Sequence, residues 1–276
     1  YERPVPESAL RRLLPSSLRV EQILGSLWYS IMVKYDRPWF SLHPLDQEYI
    51  YLQIPDDERA WLHGAAASYF SGLEKPKDQW KMRGDLDAQL QQIQHLVSAG
   101  RYEDACRVLN KIDREHLAWW GQYEDIIRLR GQFLDHLRDA NLRQLNVGHL
   151  GSAYFDSGER LKGMGYWQQA LAIAQEIQAP QTCRWIGNVG VGYKALGDIP
   201  RAKELLEQAL GIAMNSGDRL HQGRWSGKLG EICLAQGQLE EARTKFLGAL
   251  EIARKLDEPD RRFEKDWLEL LGHVCL

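Results

Sequence analysis

Three segments of the chain repeat one pattern of residues, and this repeat constrains the fold more than any other feature of the sequence. The segments begin at Leu150, Val189 and Leu229, at nearly equal intervals, and they align without gaps. A second glycine position recurs inside each segment, at Gly158, Gly197 and Gly237. Glycine tolerates the left-handed backbone that ends many helices, so each segment is predicted to be two helices joined at that glycine. Repeats of this length stack into arrays of helix pairs.

Two further columns of the alignment indicate how the paired helices pack. A column in the first helix holds only glycine, at Gly151, Gly190 and Gly230. A column in the second helix holds large apolar residues, at Trp167, Leu206 and Phe246. A residue without a side chain lets two helices approach closely, and a large residue fills the space beside it. We therefore predict closely packed helical pairs.

The pattern resembles the tetratricopeptide repeat, whose leucine-glycine, tyrosine, alanine and aromatic positions are recognisable in the run from Leu150 to Ala174. The proline that usually ends the second helix is absent, with Gln175, Met214 and Arg254 in its place. The period, about 40 residues rather than the roughly 34 of the common form, is similar to that of repeats in bacterial regulatory ATPases. The resemblance implies a mainly α fold, a tetratricopeptide-like α-solenoid.

Residues 56–140 carry a weaker form of the same pattern. Gly100 and Ala105 have the spacing of Gly197 and Ala202, which indicates a degenerate repeat from residue 99. Residues 56–72 and 115–138 also have helical apolar spacing. The sequence predicts helices without strands from about residue 56 to the end: an irregular helical region over 56–140, then three repeats and a C-terminal helix over 141–276.

Residues 1–55 follow a different pattern. PESALRRLL and LRVEQILGSLWYS read as two short amphipathic helices, IMVKY and WFSLH as two strands around the turn DRP, and PLDQEYIYLQI as a third helix. Two helices, a hairpin and a helix are the outline of a winged-helix (α+β) domain. This region is predicted to form one, with Pro55 ending its last helix.

The stretch Ser41-Leu42-His43-Pro44 resembles the histidine motif in the winged-helix segment of STAND or NB-ARC NTPases. The resemblance implies that His43 contacts the β-phosphate of bound ADP, beside amides of a helix N-terminus that favour phosphate. Pro44 stands where the motif has an aspartate. The alternative is structural, because proline suits the first position of a helix.

The nucleotide core of such a protein would lie outside this sequence. No G-x-x-x-x-G-K-[ST] phosphate loop is present, so Tyr1 is interpreted as a cut within a longer polypeptide that would bind ADP or ATP with Mg²⁺. This chain is expected to have no cofactor, no metal and no enzymatic activity of its own. Its four separated cysteines are interpreted as reduced core residues, and the lack of a signal peptide predicts a cytoplasmic location.

The resemblance to tetratricopeptide arrays implies a second site, a groove lined by the first helix of each repeat. Two inward positions hold Leu145 with His149, then Arg184 with Asn188, then Arg224 with Lys228. Stacking the repeats would align Arg184 with Arg224, and Asn188 with Lys228. The result would be a polar, cationic ladder that suits a carboxylate or phosphate group. Trp185 and Trp225 adjoin the ladder, either as core residues or as a stacking surface. The predicted ligand is a protein or peptide.

Three functions remain open from the sequence. The first is the sensor and interaction module of a STAND-type signalling NTPase, in which the winged helix contacts the nucleotide core. The second is a free-standing adaptor whose repeats bind a peptide. The third is a transcriptional regulator that binds DNA through the winged helix, although a net charge of −3 gives no overall attraction to nucleic acid.

Overall fold

The described residues from 44 onwards are mainly helical. A computed structural model describes residues 5–6, 11, 33–36, 39–42, 44–256 and 267–272. Its α-helices through residue 254 are α1 Pro44–Gln53, α2 Asp56–Ser71, α3 Asp87–Ser98, α4 Tyr102–Ile112, α5 Tyr123–Gly131, α6 Ala140–Asp156, α7 Arg160–Glu176, α8 Thr182–Ala195, α9 Ile199–Ser216, α10 Arg219–Ala235 and α11 Leu239–Arg254. Residues 267–272 are also helical. None of the described helices is long and apolar enough to cross a bilayer.

A small antiparallel sheet precedes α1. Its strands are β1 Val5–Pro6, β2 Val33–Asp36 and β3 Trp39–Leu42, in the order β1-β3-β2. Asp36 pairs with Trp39, which makes β2 and β3 a tight hairpin. Strands β2 and β3 and helix α1 lie where the hairpin and third helix were predicted, whereas β1 was not predicted. Of the two predicted short helices only Pro6 and Arg11 are described, and Pro6 lies in β1 rather than in a helix, so the winged-helix assignment stays a prediction.

The chain divides into two compact units, Tyr1–Gln122 and Tyr123–Leu276. The boundaries predicted at residues 55 and 140 stay predictions. In the first unit α2 packs on α3 and α3 packs on α4. Helices α3 and α4 are the predicted degenerate repeat, and Gly100 between them has a left-handed φ of 71°. Of the helical stretch expected over 115–138, a π-helix at Asp113–Leu117 covers the start and α5 covers Tyr123–Gly131.

The second unit contains the three predicted repeats as the pairs α6 with α7, α8 with α9, and α10 with α11. Each pair packs together, α7 packs on α8, and α9 packs on α10, so the pairs stack in sequence order. The predicted turn glycines all have left-handed backbone, with φ of 102°, 86° and 75° at Gly158, Gly197 and Gly237. Residues 44–256 and 267–272 contain no strand, as the sequence predicts.

The small and large columns meet inside each repeat. A Cβ atom added at Gly151 would lie 2.8 Å from Trp167 Cδ1, and one at Gly230 would lie 2.9 Å from Phe246 Cε1. At Gly190 the nearest atom would be Leu206 Cγ, at 3.1 Å. The predicted packing of the two helices in a repeat is therefore confirmed.

Candidate functional site

A third glycine column, also in the first helix of each repeat, lies where that repeat contacts the part of the chain that follows it. The positions are Gly148, Gly187 and Gly227, and their partners are Trp185, Trp225 and Trp267. A Cβ atom added at these glycines would lie 2.2, 2.4 and 2.2 Å from the indole ring of the partner, far inside van der Waals contact. Each tryptophan thus lies directly against the backbone of the preceding repeat.

Trp185 and Trp225 are consequently core residues. Both are 0% exposed, so neither ring offers a face to a ligand. The Trp185 Nε1 group donates a hydrogen bond to Gln144 Oε1. In the next repeat the position of Gln144 is taken by Cys183. The Nε1 group of Trp225, which corresponds to that of Trp185, has no hydrogen-bond partner in the described part of the chain. Of the two interpretations of these residues, the structure supports core packing.

Two arginines of the predicted ladder lie over these buried rings. The guanidinium carbon of Arg184 is 4.8 Å from the centre of the Trp185 ring, and that of Arg224 is 4.9 Å from the Trp225 ring. Both arginines are half-buried. Their cations interact favourably with the π-electrons of the indoles, which fixes the side chains in equivalent positions of successive repeats.

A second group of charges lies one turn further along α10. Glu231 accepts a hydrogen bond from Lys228 Nζ at 2.7 Å and another from Lys194 of the preceding repeat. Burial alone raises the pKa of Glu231, but the two ammonium groups outweigh this effect and hold the pKa below its ordinary value. The carboxylate is therefore ionised near neutral pH, and one lysine charge in this group is not balanced by it.

His149 and Asn188 are not accessible positions of a groove. His149 is 7% exposed, and its Nδ1 atom is 2.9 Å from Nη2 of the buried Arg130. Arg130 in turn donates to Asn146, so these three residues join α5 to α6. Asn188 is 1% exposed, and its Nδ2 atom has no hydrogen-bond partner among the described residues. The predicted inward positions are thus divided between core and surface.

The candidate site that remains is the basic face, which we define by its residues as Arg184, Lys194, Arg224, Lys228 and Glu231. Arg224, Lys228 and Glu231 follow one another on one side of α10 at helical spacing. Leu145 takes the arginine position in the first repeat, so the arginines of this face begin in the second repeat. Sequence reasoning missed Lys194 and Glu231 because they belong to different repeats and meet only when the repeats stack.

Comparisons with known proteins agree with the helical repeats. A family model described as tetratricopeptide repeat matches residues 227–244. No match was found among curated proteins. The crystal structure of aspartyl phosphate phosphatase F from Bacillus subtilis is similar to this chain at 12% identity, covering 92% of this chain and 71% of that one, with a TM-score of 0.55.

Two other solved structures have lower TM-scores. BtubC (BKLC) from P. vanneervenii has 17% identity, covers 80% of this chain and 84% of that chain, and gives a TM-score of 0.46. A STAND protein with a tetratricopeptide repeat sensor from Pyrococcus horikoshii has 12% identity and a TM-score of 0.41, covering 99% of this chain but 58% of that one. The observed helix pairs, together with the family model over residues 227–244, show that this chain contains helical repeats similar to the tetratricopeptide repeat.

Proposed function

We propose that the chain is a protein-interaction module whose repeats bind an acidic segment of a protein or peptide along the basic face. The observation that carries the proposal is the equivalent arrangement of Arg184 and Arg224 over two buried indoles. Because each guanidinium is already held by its ring, it loses little conformational freedom when it binds a carboxylate. Two arginines one repeat apart can engage two acidic groups of one extended ligand.

The charges on the basic face support an acidic ligand. The face carries four cationic side chains and one carboxylate, Glu231, which accepts hydrogen bonds from Lys194 and Lys228, whereas the whole chain has a net charge of −3. The positive potential is therefore local to this face. A ligand carboxylate there gains charge-assisted hydrogen bonds from arginine, which can hold it with two donors at once.

Selection from a random peptide display library tests this function. We expect the selected peptides to be rich in aspartate and glutamate. The double variant Arg184→Glu/Arg224→Glu should weaken their binding at least tenfold, because two attractive pairs become repulsive; fluorescence polarisation measures this change. Raising the salt concentration should weaken the wild-type complex as well.

The matched control is Arg160→Glu/Arg243→Glu, which makes the same charge change on exposed positions of α7 and α11. It should leave peptide affinity within about twofold. Circular dichroism establishes that both variants are folded, and Arg184→Gln/Arg224→Gln replaces the first variant if it is not. Equal losses in the two double variants, or selected peptides without acidic enrichment, would refute the proposed ligand.

We further propose that this chain is the sensing part of a STAND-type signalling NTPase. His43 lies outside the described residues, but its neighbours support the proposal: β3 ends at Leu42 and α1 begins at Pro44, so a helix N-terminus follows His43 directly. Tyr49 and Leu52 on α1 are 67% and 63% exposed, which leaves an apolar surface for a nucleotide-binding domain to cover. In this scheme the chain is cytoplasmic and performs no catalysis, and ADP or ATP with Mg²⁺ is held by that domain.

Replacing His43 in the full polypeptide tests the nucleotide-sensing role. We expect His43→Ala to accelerate ADP release several-fold, because a hydrogen bond to the β-phosphate is lost. Release is measured with a fluorescent ADP analogue. His136→Ala, at an exposed histidine, is the control. Unchanged release in His43→Ala, or a full polypeptide without a phosphate loop, rejects this role and leaves peptide binding by the repeats standing.

A further inference from the structure

Three side chains of different chemical type meet where the second and third repeats adjoin. They are Cys183 near the start of α8, and Asp218 and His221 at the start of α10. One ligand atom of each lies within 4.8 Å of those of the other two. Cys183 is 0% exposed, and the side chain of His221 is only 12% exposed. A thiol, a carboxylate and an imidazole thus converge at a partly enclosed point.

The orientation of two of these groups is fixed by the helix they begin. Asp218 is the N-cap of α10, and its Oδ1 atom accepts a hydrogen bond from the backbone N–H of His221 at 3.1 Å. The second oxygen, Oδ2, is 2.7 Å from His221 Nδ1. The His221 ring also lies against the Trp225 ring, with the ring centres 5.7 Å apart. One carboxylate oxygen is therefore used for capping while the other is directed towards the histidine.

We propose that Cys183, Asp218 and His221 form a binding site for a divalent metal ion of the zinc type. Thiolate, imidazole and carboxylate are the zinc ligands of proteins, with bond lengths of about 2.0–2.3 Å. Atoms within 4.8 Å of one another need to move by about 1 Å or less to reach that geometry. The sulfur and nitrogen donors favour zinc or cobalt over magnesium and calcium, which prefer oxygen ligands.

The charge and proton balance of binding are simple. The metal ion brings two positive charges, the Cys183 thiol releases one proton to solvent, and Asp218 is already a carboxylate. The neutral ring of His221 carries a single N–H; where Nδ1 coordinates the ion, the proton that it donates to Asp218 Oδ2 moves to Nε2. The complex has no net charge.

Electroneutrality matters because cations lie nearby. Arg184 directly follows Cys183 in the chain, and Arg224 lies over the Trp225 ring against which His221 packs. A site that gained a net positive charge would be opposed by both guanidinium groups. Two anionic ligands cancel the charge of the ion, so the arginines do not oppose the complex as a whole. Three protein ligands leave one coordination position for water.

Binding at this point would link two repeats. Cys183 belongs to α8 and the other two ligands belong to α10, so one ion connects the first helices of neighbouring repeats. A ligand that binds only the folded state stabilises it in proportion to the logarithm of its concentration. With free zinc 100-fold above its Kd, we expect the Tm of the chain to rise by about 5 °C. Magnesium at the same concentration should leave Tm unchanged.

Cobalt and zinc titrations of the full chain test the site. Cobalt(II) should produce a thiolate-to-cobalt charge-transfer band in the near ultraviolet and visible bands of a four-coordinate ion. Cys183→Ser should abolish the charge-transfer band and weaken zinc binding, measured calorimetrically, at least tenfold. His221→Gln should weaken zinc binding by a similar factor while the cysteine remains.

The control is Cys233→Ser, which removes a different buried thiol, on α10, that is not part of this cluster. It should keep both the charge-transfer band and the rise in Tm. Wild-type protein without a charge-transfer band would overturn the proposal, and that measurement requires no variant to fold. Equal zinc affinity in wild type and Cys183→Ser would also overturn it.

Discussion

Gly187→Ala should lower the free energy of unfolding of the second unit by about 3 kcal/mol or more. The added methyl group would lie 2.4–2.6 Å from three atoms of the Trp225 ring, which no real Cβ contact permits. The ring cannot move away easily, because it is 0% exposed and carries the Arg224 guanidinium on one face. Either the ring leaves its position or the two repeats move apart, and both changes expose apolar surface.

Gly211→Ala is the matched control for this substitution. Gly211 is also in the middle of a helix, α9, but a Cβ atom there would meet no atom within 4 Å. Alanine is the better helix former by about 1 kcal/mol, so this variant should be more stable than the wild type. Urea unfolding followed by circular dichroism gives both free energies. Similar destabilisation by the two alanines would show that the contact with Trp225 is not what excludes a side chain at position 187.

A double-mutant cycle separates steric conflict from other effects. Trp225→Leu alone should destabilise the unit, because a large buried ring is lost. In that background Gly187→Ala should cost much less, since the methyl group enters space that the indole has vacated. The two effects are then strongly non-additive, as expected for residues in contact. Additive effects would contradict direct contact between these residues.

The repeats were predictable because their determinants are local. The left-handed glycine at position 197 ends one helix and begins a turn within a single repeat, and Gly190 meets Leu206 in the other helix of that same repeat. Helix period and turn chemistry therefore identify each pair from its own sequence. The same applies to the hairpin of β2 and β3, whose strands follow each other closely along the chain.

The contacts between repeats were not predictable in the same way. Gly187 and Trp225 belong to different repeats, and an aligned tryptophan column is compatible with a ligand platform, although filling gaps between helices is the commoner role of such residues. Burial alone separates these interpretations, and burial depends on how far one repeat rotates over the next. The same limit applies to Cys183 and His221, which also belong to different repeats and have no metal-ligand spacing in the sequence.

One column of the alignment illustrates the effect of surroundings on equivalent residues. His149 and Asn188 occupy the same position in successive repeats. His149 meets Arg130 because α5 precedes the first repeat, whereas a complete repeat precedes Asn188. Lys228 follows in the third repeat and pairs with Glu231 at the surface. Sequence alignment identifies equivalent positions, but the neighbouring helix decides whether a position is core or surface.

Acidification from pH 7 to pH 4.5 should destabilise the first unit by about 2 kcal/mol through a histidine pair. His63 Nδ1 and His95 Nδ1 are 2.9 Å apart, in a contact between α2 and α3. The Tyr51 hydroxyl is hydrogen-bonded to Nε2 of His63, and Arg59 adds a positive charge nearby. The Phe70 ring stacks on the His95 ring. Two protonated rings cannot share this contact, because one nitrogen of the pair has to accept a hydrogen bond.

The direction of the pH effect follows from the pKa values. Burial, followed by the charge of His63, lowers the pKa of His95 to about 4, and burial also lowers the pKa of His63. The unfolded chain therefore binds protons near the ordinary histidine pKa of about 6.5, while the folded chain does not. The stabilisation is fully present above about pH 6.5 and is lost as the pH falls towards 4. One pKa unit corresponds to about 1.4 kcal/mol, which gives the expected size after allowance for the solvent around these half-buried rings.

Urea unfolding of the wild type and of His95→Gln at both pH values measures this contribution. Glutamine does not titrate and retains hydrogen-bonding groups, so the variant should lose less stability on acidification, by about 2 kcal/mol. Carboxylates also titrate in this range, but their contribution is common to both proteins and cancels in the comparison. His136→Gln, at an exposed histidine in the second unit, should keep the wild-type dependence on pH. If His95→Gln loses as much stability as the wild type, the contact between His63 and His95 does not control the acid sensitivity of the first unit.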